Sequence, residues 1–113
     1  MVGAGPGGLE TAWVAAARGH QVVLYSGSSS LGGKLRRDSA LPGRSEISRI
    51  IDYQTHLAEL FGVDIRLGEF RDASLTRKDS PDAVVCATGS ILSPPPSLSE
   101  EGNPGINAIS YID

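Results

Sequence analysis

Three glycines at the head of the chain, Gly3, Gly5 and Gly8, restrict what it can fold into more than any other feature. Their spacing, with Pro6 and Gly7 between the last two, suits a turn that leads from a strand into a helix. The first glycine permits the tight turn, the second leaves room for an anion beside the backbone, and the third lets helix and strand pack closely. Pro6 falls where a helix starts and its missing N–H does no harm. The helix end then presents free amide donors and a partial positive charge to a phosphate. Glycine-rich turns have many structural uses, so the meaning of this one depends on the elements around it.

From Pro6 to Arg18 the apolar positions Leu9, Ala12, Trp13 and Ala16 recur at helical spacing among alanines, and Gly19 comes next as a terminator. Gln21 to Tyr25 is β-rich and runs into the loop Ser26, Gly27, Ser28, Ser29, Ser30. A second helix is expected from about Ser45, with that serine as N-cap, and Ile47, Ile50, Ile51, Leu57, Leu60 and Phe61 face the core before Gly62. Val63 to Leu67 alternates like a strand, and the apolar run Ala83 to Ala87 reads as a strand covered on both faces at the sheet centre. Phe70 to Leu75 reads as a short strand or a loop, the proline-rich stretch 90–105 as an irregular loop, and Ile106 to Ile109 as a last short strand. This alternation implies an α/β fold, a Rossmann-like parallel sheet flanked by helices, with residues 1–113 forming a single domain. Only Met1 and Val2 precede the turn, whereas a strand ordinarily has about 5 to 6 residues. The domain therefore reads as partial, with a truncated first strand and its distal part missing; the alternative is a neighbouring strand that tolerates a short partner.

Ten basic and thirteen acidic residues, a net charge of -3, supply no broad cationic field, which argues against nucleic acid as a partner. No run approaches the roughly 20 apolar residues that cross a bilayer, and no basic region followed by an apolar stretch opens the chain, so no membrane is expected and the chain reads as cytoplasmic. The single cysteine, Cys86, excludes an internal disulfide and reads as a packing residue of its strand. His56 reads as a surface residue and Trp13 as a packing residue rather than an adenine platform. No side chain reads as a metal ligand, or as a catalytic acid, base or nucleophile.

An acid usually ends the second strand of such a site and accepts hydrogen bonds from the ribose; here the position holds Ser26. A serine can still bond to a ribose hydroxyl, but without the charge that repels a 2′-phosphate. The hydroxyls of Ser26, Ser28, Ser29 and Ser30, with Lys34, Arg36 and Arg37, suit NADP, or form a solvated polar loop. A second glycine pair, Gly32 and Gly33, precedes Lys34, and Ala87, Thr88 and Gly89 close the apolar strand. These three elements are expected to converge at the carboxyl edge of one sheet.

The stretches Val2 to Glu10, Leu31 to Leu35, Leu41 to Arg44 and Ala83 to Gly89 resemble, in order and spacing, the carboxyl-terminal FAD/NAD(P)-binding region of multidomain old yellow enzyme-like flavoproteins. That group includes trimethylamine and dimethylamine dehydrogenases and 2,4-dienoyl-CoA reductase. The Leu-Pro-Gly segment before the second helix narrows the resemblance to it. The resemblance implies that Gly3, Gly5, Pro6, Gly7 and Gly8 contact a pyrophosphate, that Gly33 and Lys34 lie along the nucleotide, and that Thr88 with Gly89 closes the pocket. It implies FAD as cofactor, with ADP in some relatives. A TIM barrel outside this chain, carrying FMN and an iron-sulfur cluster, would do the substrate chemistry, and a further NAD(P)-binding insertion would start beyond Asp113. The expected function is thus a dinucleotide-binding module (FAD or ADP) of a flavin-linked oxidoreductase, catalytically incomplete without its missing barrel or partner chain. The alternatives are an NADPH-binding reductase domain and a structural remnant that packs against a barrel and binds nothing.

Overall fold

The computed structural model describes residues 1–91. Helix α1 spans Pro6–Ala17, strand β1 Val23–Ser26 and the short helix α2 Lys34–Ser39. A 3-10 turn at Ser45–Ile47 leads into α3, Ser48–Leu60, followed by β2, Asp64–Leu67, and α4, Ala73–Lys78. β1 and β2 pair in parallel from Val23 opposite Asp64 to Ser26 opposite Leu67. Val2 bridges Tyr25 on one side and Cys86 on the other, both in parallel. Four bonds hold this rung: Gly3 N–H to Tyr25 O at 2.8 Å, Tyr25 N–H to Met1 O at 2.9 Å, Val2 N–H to Val85 O at 2.9 Å and Ala87 N–H to Val2 O at 2.8 Å. Across the sheet the succession is therefore residues 85–87, residue 2, β1 and β2, the order of a doubly wound fold. The short first strand occupies an interior place with bonds on both sides.

α1 and α3 pack on one another, and α1 lies against β1. Leu9 and Leu24 are fully buried between them, with Ala4, Ala12, Val22, Ile51, Ala58 and Val63 completing the core. Each fully buried leucine contributes about 1.5 to 3 kcal/mol. Alanine at positions 12 and 58 keeps the two helices close.

The α/β architecture and the parallel pairing agree with the expectation from sequence, while several local readings need correction. Ser45 makes no side-chain cap; it opens a 3-10 turn, and Ser48 Oγ donates to its carbonyl at 2.7 Å. On α3 the inward face is Ile51, Gln54 and Ala58, so Ile50, about a quarter-turn away at 100° per residue, and Leu60, on the opposite face, are exposed, as is Phe61 at the C-cap. Phe61 instead stacks on Trp13 with ring centroids 6.2 Å apart, which gives Trp13 its packing role. Phe70 to Leu75 is not a strand: it leads into α4. The segment 83–87 is not the covered centre of the described sheet. It pairs only with Val2 among the described residues, Val84 is 45% exposed and Cys86 is exposed, because this segment forms the flank of the described sheet. The expected strand Ile106 to Ile109 and most of the 90–105 loop lie outside the described residues. Among the described residues no helix is long and apolar enough to cross a membrane.

Candidate functional site

The glycine turn is built by close approach. Gly3 has φ 107°, a left-handed conformation that disfavours a side chain, and a Cβ there would collide with the Ala87 carbonyl. A Cβ on Gly8 would collide with the Gly3 carbonyl, so helix and strand meet backbone to backbone. Gly5 is the N-cap of α1 with no side-chain cap, and a Cβ on either Gly5 or Gly7 would meet nothing within 4 Å. Leu9 N–H bonds to Gly5 O at 2.9 Å, while the N–H groups of Gly7 and Gly8 have no acceptor among the described residues. The start of α1 therefore faces open space with donors unused.

The second glycine pair reaches the same place. Gly32 N–H donates to Ala4 O at 2.8 Å, and a Cβ on Gly33 would lie 3.2 Å from Gly5 Cα. With φ 53°, Gly33 turns the chain at Gly5 and into α2. Lys34 Nζ then donates to Ser90 Oγ at 2.8 Å. The third element arrives through Ala87 and Thr88, whose backbone lies against Gly3. All three glycine-containing segments thus surround the open end of α1, as their expected convergence requires. Arg36 is turned away, its Nε donating to Leu31 O at 2.9 Å. The 450 Å³ groove between the 29–31 loop and α3 is a separate hollow, lined by Arg36, His56 and Glu59 among others.

Ser26 ends β1 and is 9% exposed. Its Oγ accepts Ser28 N–H at 3.2 Å, which leaves the hydroxyl proton free to donate. The turn after β2 covers this edge: Glu69 N–H bonds to Ser26 O at 3.0 Å, Gly68 N–H bonds to Ser28 O at 2.9 Å, and Phe70 packs on Gly27. Tyr25 clamps that turn from beneath. Its hydroxyl donates to Asp79 Oδ2 at 2.8 Å, and the Arg71 guanidinium lies 4.2 Å over its ring while pairing with Glu69 and Asp79.

The bond to Asp79, assisted by burial and opposed by Arg66 and Arg71, raises the Tyr25 pKa above its ordinary 10.0. The folded chain favours the neutral phenol, so the clamp acts fully below pH 10.0 and weakens as pH rises through the raised value. In an alkaline absorbance titration the Tyr25 phenol should ionise late, above pH 10.0. Tyr25→Phe should remove that late phase; a late phase that persists in the variant contradicts the clamp.

Two contributors escape a reading by motif. Ser90 lies just past the Thr-Gly pair, and only the fold brings it to Lys34. Gln54, from the middle of α3, donates through Nε2 to the Pro6 carbonyl at 3.1 Å and to Glu10 Oε2 at 3.0 Å. Its spacing gave a signal: three residues after Ile51 and four before Ala58, it falls on the buried face.

The family described as NAD(P)-binding Rossmann-like domain matches residues 1–72. A probable N-methylproline demethylase of Rhizobium meliloti is 32% identical over an alignment that covers 100% of this chain and 19% of that protein. An NADH oxidase of Thermoanaerobacter brockii is 43% identical over 80% of this chain and 14% of its own length. Among solved structures, a 2-naphthoyl-CoA reductase complex superposes with a TM-score of 0.80 at 34% identity, covering 84% of this chain and 14% of the other. The chain thus spans less than a fifth of the length of these relatives. They are flavin oxidoreductases, the group to which the sequence resemblance pointed.

Proposed function

The chain belongs to the NAD(P)-binding Rossmann-like domain family, and from that premise we propose that it holds the diphosphate of FAD, or of ADP, within a flavin-linked oxidoreductase. One observation carries the reading: the open end of α1, where the N–H groups of Gly7 and Gly8 have no acceptor among the described residues, lies where Gly33 and Thr88 converge. Backbone donors at a helix N-terminus suit a dianionic diphosphate, and the space beside Gly5 and Gly7 admits it without displacing a side chain. In this reading Gly3, Gly5, Pro6, Gly7 and Gly8 shape the turn, and Gly33 and Lys34 flank the diphosphate. Ser26 donates to a ribose hydroxyl, and Thr88 with Gly89 forms the remaining wall.

The chain's own part is to bind and orient. A bound flavin supplies electron transfer through its own ring system. The substrate chemistry belongs, in this reading, to a barrel or partner domain outside these 113 residues. A second reading, NADPH in place of FAD, is favoured by one feature: Ser26 presents no carboxylate to repel a 2′-phosphate.

Calorimetric titration of the chain with FAD, ADP, NADH and NADPH tests both. Saturable binding of FAD and ADP is the expected result. Binding of NADPH alone would favour the reductase reading, and a folded chain that binds none of the four would leave it a structural unit.

A further inference from the structure

Gln54 is 6% exposed at the contact between α3 and α1, and its Oε1 is buried without a partner among the described residues. The orientation of the amide is dictated by chemistry. Both of its neighbours, the Pro6 carbonyl and the Glu10 carboxylate, only accept, so the reversed amide would set oxygen against oxygen twice. An apolar side chain of similar size would fill the same space without stranding an acceptor. A buried orphan oxygen opposes folding, and packing alone does not account for it.

The bond to Pro6 has a specific electronic consequence. The Pro6 carbonyl and the Gly7 N–H belong to one planar peptide group. A hydrogen bond drawn on the oxygen polarises that group and strengthens the N–H as a donor. Gly7 N–H is one of the donors at the open end of α1 without an acceptor among the described residues. We infer that Gln54 is a positioning residue for anion binding: from α3 it fixes and polarises the Pro6–Gly7 peptide, so that Gly7 N–H meets a phosphate oxygen correctly aimed. The inference rests on the reading of the glycine turn as a diphosphate site. It adds a residue outside the glycine motif and assigns it to the phosphate rather than to the nucleoside.

Gln54→Leu tests it, with Gln54→Met as a second variant in case the branched side chain disturbs packing. ADP binding should weaken roughly 2- to 12-fold, the equivalent of one net hydrogen bond. Adenosine binding should not change, and the melting temperature should hold or rise as the orphan oxygen is removed. The Gly7 amide nitrogen resonance of the ligand-free chain should shift, which reads the polarisation without any ligand. A purely structural role predicts the opposite pattern: a lower melting temperature, with ADP and adenosine affinities falling together. Equal ADP affinity in parent and variants, or an unmoved Gly7 resonance, overturns the inference and leaves the diphosphate site standing. A parent chain that binds no ADP overturns that site, and the inference with it.

Discussion

Gly5→Val is expected to leave the fold intact and weaken FAD or ADP binding at least about 100-fold, or roughly 2.7 kcal/mol. Gly5 has φ −75° and ψ −178°, an extended conformation open to any residue, and a Cβ there meets nothing within 4 Å. Two small effects on stability oppose one another. Valine is a poor helix N-cap, at a cost of about 1 kcal/mol, while loss of glycine's freedom in the unfolded chain returns about 0.4 to 1 kcal/mol. The isopropyl group would instead fill the space that the diphosphate needs beside the free amides. A thermal melt and a calorimetric titration on the same sample separate the two properties. An unchanged melting temperature with affinity kept within tenfold would remove the diphosphate from the turn.

Gly8→Ala should do the reverse, damaging the fold before any ligand is considered. The added methyl group would run into the Gly3 carbonyl, and Gly3 cannot retreat: its N–H is bonded to Tyr25, its far side abuts Ala87, and Val2 is held from both flanks. Overpacking against backbone of this kind costs about 3 kcal/mol or more. For a domain of this size that is a fall in melting temperature of roughly 12 to 24 °C. Gly7→Ala is the matched control. It has open space and lies within α1, so it should be neutral or stabilising by about 0.5 to 1 kcal/mol. Similar melting temperatures for the two variants would contradict the close approach of helix and strand.

The contrast between Gly5 and Gly8 shows what was readable in the chain and what was not. The spacing of the three glycines, the alanine-rich α1, and the strands on either side of α3 are local signals with a short period, so sequence reached them to within a few residues. Their expected tasks match the structure in the same way: open space at Gly5, close approach at Gly8. α2 is not legible in the sequence because Lys34–Ser39 carries no apolar stripe and buries no residue. α3 is legible but its inward face is not, since apolar residues occupy more of its circumference than α1 can cover. Hydrophobicity alone places Ile50 and Leu60 in the core, whereas the covered position is Gln54. The convergence of Gly33 and Thr88 on the turn could be expected from the fold type. The bond from Lys34 to Ser90 could not, because it depends on where two exposed side chains come to rest.

The pairing of Val2 with Cys86 has a consequence for how the site behaves in time. Every other wall of the site comes from neighbouring elements, but this one closes a loop spanning most of the described chain, with the entropic cost of long-range contact. Two backbone bonds to Val2 secure it. Sub-global opening of that rung alone would leave the glycine turn wound on α1 while Thr88 and Gly89 swing away. The observed affinity for a nucleotide would then scale with the fraction of molecules in which the rung is closed, and any contact that anchors residues 85–87 would tighten binding without touching the ligand.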